Sequence, residues 1–375
     1  MRRGLLTLAT ASALTAPLAA HAEDSERKPL EFYGWVNLAL NSVDYDHSDR
    51  YSDKYGGSND GDLTLTNNTS AIGVRGAQAL EGNLTAVYQW EAGVYWNQHD
   101  GNRGLTNLQR DSFVGLEGRY GRLIAGRLPL TNQHGQEMNL FKHQLGTVAE
   151  FMAFGGADRT DNPLIPSRIS NALQYAVTLT DTVSASLTYS PKGNDDSDQV
   201  DGDEEKDGLG GQLRYDDGTY VALLTIFEDE LIGADDPMIA VNGSWDYGGG
   251  RLLGEHAQID DTTATTLGAT YRLPRGELKA QGVITSDYGD GTNIDDPSMY
   301  VLGYDHTLGD QTTLYTVAAF GQDGATLTGY GYDSSDGSTE SLQKDQLKLG
   351  EYRPRSAALE KEDSTGFAVG LRHAF

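Results

Sequence analysis

Apolar and polar residues alternate singly along most of this chain, and no other feature constrains its fold as tightly. Val183, Ala185, Leu187 and Tyr189 alternate with Ser184, Ser186, Thr188 and Ser190, which is the period of an extended strand and not of a helix. Leu30, Phe32, Gly34, Val36, Leu38 and Leu40 alternate in the same way with Glu31, Tyr33, Trp35, Asn37 and Asn41. Similar runs recur near 207–217, 219–229, 237–248, 250–260, 263–274, 276–287, 298–308 and 311–321. The connections alternate as well. Short ones (Leu80–Gly82, Tyr120–Gly121, Thr180–Asp181, Asp216–Gly218, Gly248–Gly250, Pro274–Gly276, Gly309–Asp310) are interleaved with long ones near 44–63, 98–106, 129–167, 192–206, 229–236, 288–297 and 322–363. An antiparallel up-and-down barrel has this asymmetry. A sandwich would not keep it along the whole chain, and a β-helix would show a fixed short repeat, which is missing. Counting the runs predicts about 16 strands, with the connection at 261–262 unusually short for its side.

The ends of the chain say where such a barrel would sit. Arg2 and Arg3 precede an apolar run from Leu5 to Leu18 and an Ala20-His21-Ala22 site, the pattern of a removable export signal. We expect residues 1–22 to be that signal and 23–375 to be a single transmembrane β-barrel. In the last strand Phe367, Val369, Leu371, His373 and Phe375 share one side, and Ala368, Gly370, Arg372 and Ala374 the other. Phe375 is the expected barrel-closing residue. No stretch approaches the ~18 consecutive apolar residues of a membrane-spanning helix. Mean hydropathy is −0.49, which is compatible with a membrane barrel because only every second strand residue meets lipid.

Composition narrows the partners. There is no Cys, so an exported chain must find its stability elsewhere, and a closed hydrogen-bonded sheet supplies it. The formal net charge of −27 argues against nucleic acid as a partner. Outer-membrane lipid and lipopolysaccharide are the expected surroundings.

Three blocks and the terminal strand resemble the general bacterial porins. Ser70–Gly76 followed by Leu80–Glu91 resembles that family's second hairpin. Phe113–Gly118 with Gly121–Arg127 resembles the hairpin leading into its constriction loop, and Leu302–Tyr315 its penultimate hairpin. The resemblance implies a homotrimer of water-filled channels passing small hydrophilic solutes and ions by diffusion, without a cofactor. It also implies that the third long loop, here 129–167, folds into the lumen. Leu140, Phe141, Leu145, Val148, Phe151, Met152 and Phe154 make that loop too apolar for water. By resemblance Glu150, Asp158, Asp161 and Glu137 are the acidic residues of a constriction and Arg127 and Arg168 the basic ones; Arg75 and Arg214 join the basic side because their strand parity faces them inward. Facing charges across a wet gap set up a transverse field that orients dipolar solutes. Ala71 stands where many relatives carry Arg, and with acidic loops around the mouth this leads us to expect cation preference.

Other chemistries lack their motifs. There is no His-Glu-x-x-His or Gly-x-Ser-x-Gly pattern, and His47, His99, His134, His143, His256, His306 and His373 are scattered. We expect no catalytic and no metal-ligating residues; the acidic run from Asp195 to Glu205 departs from the EF-hand register. The competing readings are a substrate-specific channel on the same scaffold, a structural or adhesive barrel, and an outer-membrane lipase.

Overall fold

A computed structural model describes residues 28–45, 63–94, 96, 106–107, 110–130, 137–152, 168–191, 207–232, 236–287, 296–323, 325, 327 and 363–375. The export signal expected at 1–22 lies outside them. Strands β1 (Glu31–Tyr45), β2 (Leu63–Asn67), β3 (Ala71–Ala79), β4 (Thr85–Val94), β5 (Thr106–Asn107), β6 (Ser112–Gly118), β7 (Gly121–Pro129), β8 (Arg168–Thr178) and β9 (Val183–Ser190) make the first half. The second half is β10 (Gly208–Asp216), β11 (Tyr220–Phe227), β12 (Met238–Asp246), β13 (Arg251–Ile259), β14 (Thr262–Leu273), β15 (Gly276–Ser286), β16 (Ser298–Gly309), β17 (Thr312–Gln322) and β18 (Ser364–Ala374). β2 and β3 both pair with β1, and β5 and β6 both pair with β4, so these segments are two interrupted strands. The 18 segments therefore form the closed antiparallel barrel of 16 strands that the alternation predicted. Strand bounds fall within a few residues of the periodic runs, and the short turns sit where Gly, Asp and Pro cluster.

Closure is made by the two ends of the chain. β18 pairs with β1 from Trp35↔Ala374 to Tyr45↔Ser364. Phe375 and Gly34 then exchange backbone hydrogen bonds of 3.0 and 3.1 Å. Closing the sheet on itself leaves it without a free edge strand, which is what hydrocarbon requires of a spanning sheet.

The two faces separate by parity. Leu40, Ile72, Val114, Leu123, Leu187, Val241, Leu267, Leu302, Phe367 and Val369 are exposed on the outer face. These alternating positions carry the apolar residues of the periodic runs, the distribution that lipid requires. Inward positions are mixed: small, polar and charged residues stand beside large apolar ones such as Phe227, Met299, Val301 and Val317, and many are buried. Part of what buries them is chain from the long connection after β7, including the short helix α1 (Ala149–Met152).

Candidate functional site: the inner wall and the segment packed on it

Residues 137–152 are fastened to the inner face. Phe141, Leu145, Val148, Phe151 and Met152 are buried in one cluster with Val301, Tyr315, Val317, Ala319 and Ala368 of β16–β18. This is the destination that their apolar density called for; Phe154 lies outside the described residues. Polar contacts repeat the attachment. The Asn37 side chain of β1 donates to His143 O at 2.7 Å. On β15, Gln281 accepts from Leu140 N at 2.8 Å and donates to Met138 O. Lys279 donates to Leu140 O and Gln144 Oε1, each at 2.9 Å, and pairs with Asp305 of β16 at 2.9 Å. A buried chain holds Asn37 in turn: Asn68 Nδ2 donates to Tyr315 OH at 3.0 Å, and Tyr315 OH donates to Asn37 Oδ1 at 2.8 Å.

The wall is shaped to receive it. A Cβ on Gly303 would lie 2.6 Å from the Phe141 ring, and one on Gly370 would meet the Tyr315 ring. Glycine at these two positions is what lets the aromatic side chains lie flat on the sheet.

Charged groups concentrate on a different stretch of wall. Glu91 of β4 pairs with Arg110 and accepts from Tyr33 OH at 2.9 Å. The Arg110 guanidinium lies 5.4 Å from the Trp35 ring centroid. Asp111 pairs with Arg168 of β8 at 2.5 Å. In both pairs the carboxylate is the buried member: the Glu91 and Asp111 side chains are 1% and 0% exposed, those of Arg110 and Arg168 14% and 12%. In each pair the guanidinium is the member that keeps some exposure, with its counter-charge buried.

The eight expected constriction residues divide. Glu137 and Arg214 are brought together, with Nη1 2.7 and 2.5 Å from the two carboxylate oxygens, and Arg214 also pairs with Asp216 at 3.0 Å. Arg168 faces inward on Asp111. Arg75 pairs with Glu31 at 2.6 Å and lies 4.7 Å from the Tyr33 ring centroid, near the short-turn end of β1 and away from the packed segment. Arg127 sits at an irregularity in the β7–β8 register, where Gly126 (φ 148°) and Asn171 (φ 51°) leave ordinary strand geometry, and it donates to Ser170 Oγ. Asp158 and Asp161 lie outside the described residues, and of Glu150 only the backbone, in α1, is described. Sequence reasoning missed Arg110, Asp111, Glu91 and Lys279. The inward parity of Glu91 and Lys279 was readable; their partners were not.

One loop cation stands apart. Gln144 N donates to Phe141 O at 2.9 Å, closing a turn with Lys142 and His143 at its corners and His143 at φ 59°. Burial, then the Arg110 charge, pushes the half-buried Lys142 ammonium down to about 8, against Asp111; Arg168 lowers it further and Glu137 opposes. Burial, with Lys142 and Arg110 next, holds His143 well below the ordinary histidine range.

Comparison with known proteins agrees with this architecture. The sequence model of the Gram-negative porin family matches residues 9–326. Outer membrane porin protein 32 of Delftia acidovorans is 28% identical, and an outer membrane porin protein of Bordetella pertussis 26% identical, each alignment covering 100% of both chains. Among solved structures, an anion-selective porin from Comamonas acidovorans superposes with a TM-score of 0.66 at 23% identity, over 92% of this chain and 99% of that one. The trimer form of OmpT from Vibrio cholerae gives 0.56 at 12% identity, over 93% and 100%. At such identities the structures bear on the fold.

Proposed function

The chain belongs to the Gram-negative porin family and resides in the outer membrane, and on that premise we propose that it forms a water-filled channel for passive diffusion of small hydrophilic solutes and ions. The observation that carries this reading is the attachment of residues 137–152 to the inner wall of a closed barrel, with charged wall groups beyond the attachment. A segment there narrows the lumen without closing it. Throughput then depends on weak interaction with the facing charges. Residues 129–167 act as the constriction loop, residues 1–22 as the removable export signal, and the channel assembles as a homotrimer, as the Vibrio relative does in its trimer form.

Ion preference follows the groups that line the passage, whereas net charge sums every loop. The cation preference expected from the acid total and from Ala71 is not supported. Ala71 lies directly across from Trp35, and Arg110 lies over that ring, so the connection before β6 supplies a cation to the same neighbourhood. With Glu91 and Asp111 buried behind their arginines, the accessible wall favours anions. The relative named as anion-selective supports the same direction. Liposome swelling tests the channel itself. Rates falling smoothly with solute size support a general diffusion pore, and saturation by one solute class would overturn it in favour of a specific channel.

A further inference from the structure

The pairs Leu38↔Asn67 and Trp35↔Ala71 flank the break between β2 and β3. Between them β1 runs through Val36 and Asn37, whereas its neighbour runs through Asn68, Thr69 and Ser70, so the break is a bulge of one extra residue. Thr69 takes up the excess at φ 60°. The bulge is internally bonded, and Asn67, Asn68 and Ser70 are buried. Ser70 Oγ donates to Asn67 Oδ1 at 2.6 Å and accepts from Asn37 N at 2.9 Å, and Asn68 N donates to Asn37 O at 2.8 Å. Two lines of contact leave it. Along one, Asn68 Nδ2 donates to Tyr315 OH, Tyr315 OH donates to Asn37 Oδ1, and Asn37 Nδ2 donates to His143 O in the turn of the packed segment. Along the other, Thr69 O accepts from Trp35 Nε1 at 2.7 Å, and the Arg110 guanidinium lies over the Trp35 ring.

We propose that this bulge is the positioning element of the passage: Asn68 sets the constriction turn through Tyr315 and Asn37, and the Thr69 carbonyl sets Arg110 through Trp35. The inference rests on the channel reading above. Its chemistry is one of donor order. A hydroxyl has a single proton to give. Because Asn68 presents a donor, the Tyr315 proton goes to Asn37, and the Asn37 amide is fixed with its N–H toward His143 O. Trp35 and Asn37 are successive inward residues of β1, and both are tied to the same three residues of the bulge. One piece of backbone thus fixes the segment and a wall cation together, so neither shifts without strain on the other.

The test is single-channel recording of three variants in planar bilayers under a potassium chloride gradient, with the unfolding temperature of each measured alongside. Tyr315→Phe keeps the ring and removes the relay. Its native current level should be interrupted by a second level whose occupancy rises about tenfold, the effect of one lost buried hydrogen bond, while the chloride-to-potassium ratio stays native. Asn68→Asp keeps the shape and inverts the relay: the carboxylate takes the Tyr315 proton, the Asn37 amide turns over, and the same second level should appear. Trp35→Phe keeps a ring beneath Arg110 and removes the bond to Thr69. Its ratio should fall about twofold with no second level. A merely structural bulge would lower the unfolding temperature and leave the currents alone. Native currents from Tyr315→Phe, or a native ratio from Trp35→Phe, therefore overturn the inference and leave the channel reading intact. Should Asn68→Asp fail to fold, Tyr315→Phe decides the segment side by itself. A folded native barrel that does not conduct removes the channel reading, and this inference with it.

Discussion

The wall from β15 through β18 to β1 and the wall from β4 to β8 belong to one sheet and share one kind of outer face, yet their inner faces differ. The first carries Val301, Val317, Ala319 and Ala368 beneath residues 137–152, with the Lys279–Asp305 ion pair and the Asn37, Tyr315 and Gln281 side chains among them. The second presents Arg110 and Arg168 over buried carboxylates. The difference separates two tasks that one loop sequence obscures. On the proposed channel reading, one wall fixes where the segment rests and the other sets the charge that a crossing solute meets.

Lys279→Met should break the comparison most severely. It removes two hydrogen bonds to the segment and the ion pair to Asp305, which keeps the Gln144 amide and some exposure, a loss of about 3 kcal/mol. The unfolding transition of the detergent-solubilised protein should fall accordingly, and single-channel conductance should become noisy as the segment lifts. Gly303→Leu attacks the same wall by volume. Its side chain would displace the Phe141 ring, costing about 1–3 kcal/mol, and mean conductance should rise; an unchanged conductance would mean that the segment does not rest there in the membrane. On the other wall, the double change Arg168→Gln with Asp111→Asn removes a pair without stranding a buried charge. The chloride-to-potassium ratio should fall about two- to fourfold while conductance and unfolding temperature stay near native. Leu371→Val, on the outer face of β18, should shift stability by less than about 0.5 kcal/mol and leave both channel properties alone.

The barrel was legible because lipid imposes one rule on every second residue. β9 and β18 read directly from Leu187 and Phe367 and their neighbours, since their outer faces need no particular partner. The burial of residues 137–152 was legible for a related reason: Phe141, Phe151 and Met152 have no place in water. The charged pairs were not. Arg214 meets Glu137 across 77 positions of sequence, and Lys279 meets Leu140 across 139. Such contacts depend on how many strands close the barrel and on where the loop is pinned, which no local pattern encodes. The irregularity at Gly126, beside Arg127, shifts the strand register, which the alternation does not encode. The expected cation preference is not supported: it treats net charge as though it lined the pore, whereas the Glu91 and Asp111 side chains are buried.

The most direct test of this account is the reversal potential of the native protein at neutral pH, in a planar bilayer with potassium chloride more concentrated on one side. The account predicts open-pore conductance steps whose reversal potential lies toward chloride. A reversal potential toward potassium from an open pore would contradict it, because the buried carboxylates would then be governing the passage in place of the guanidiniums in front of them.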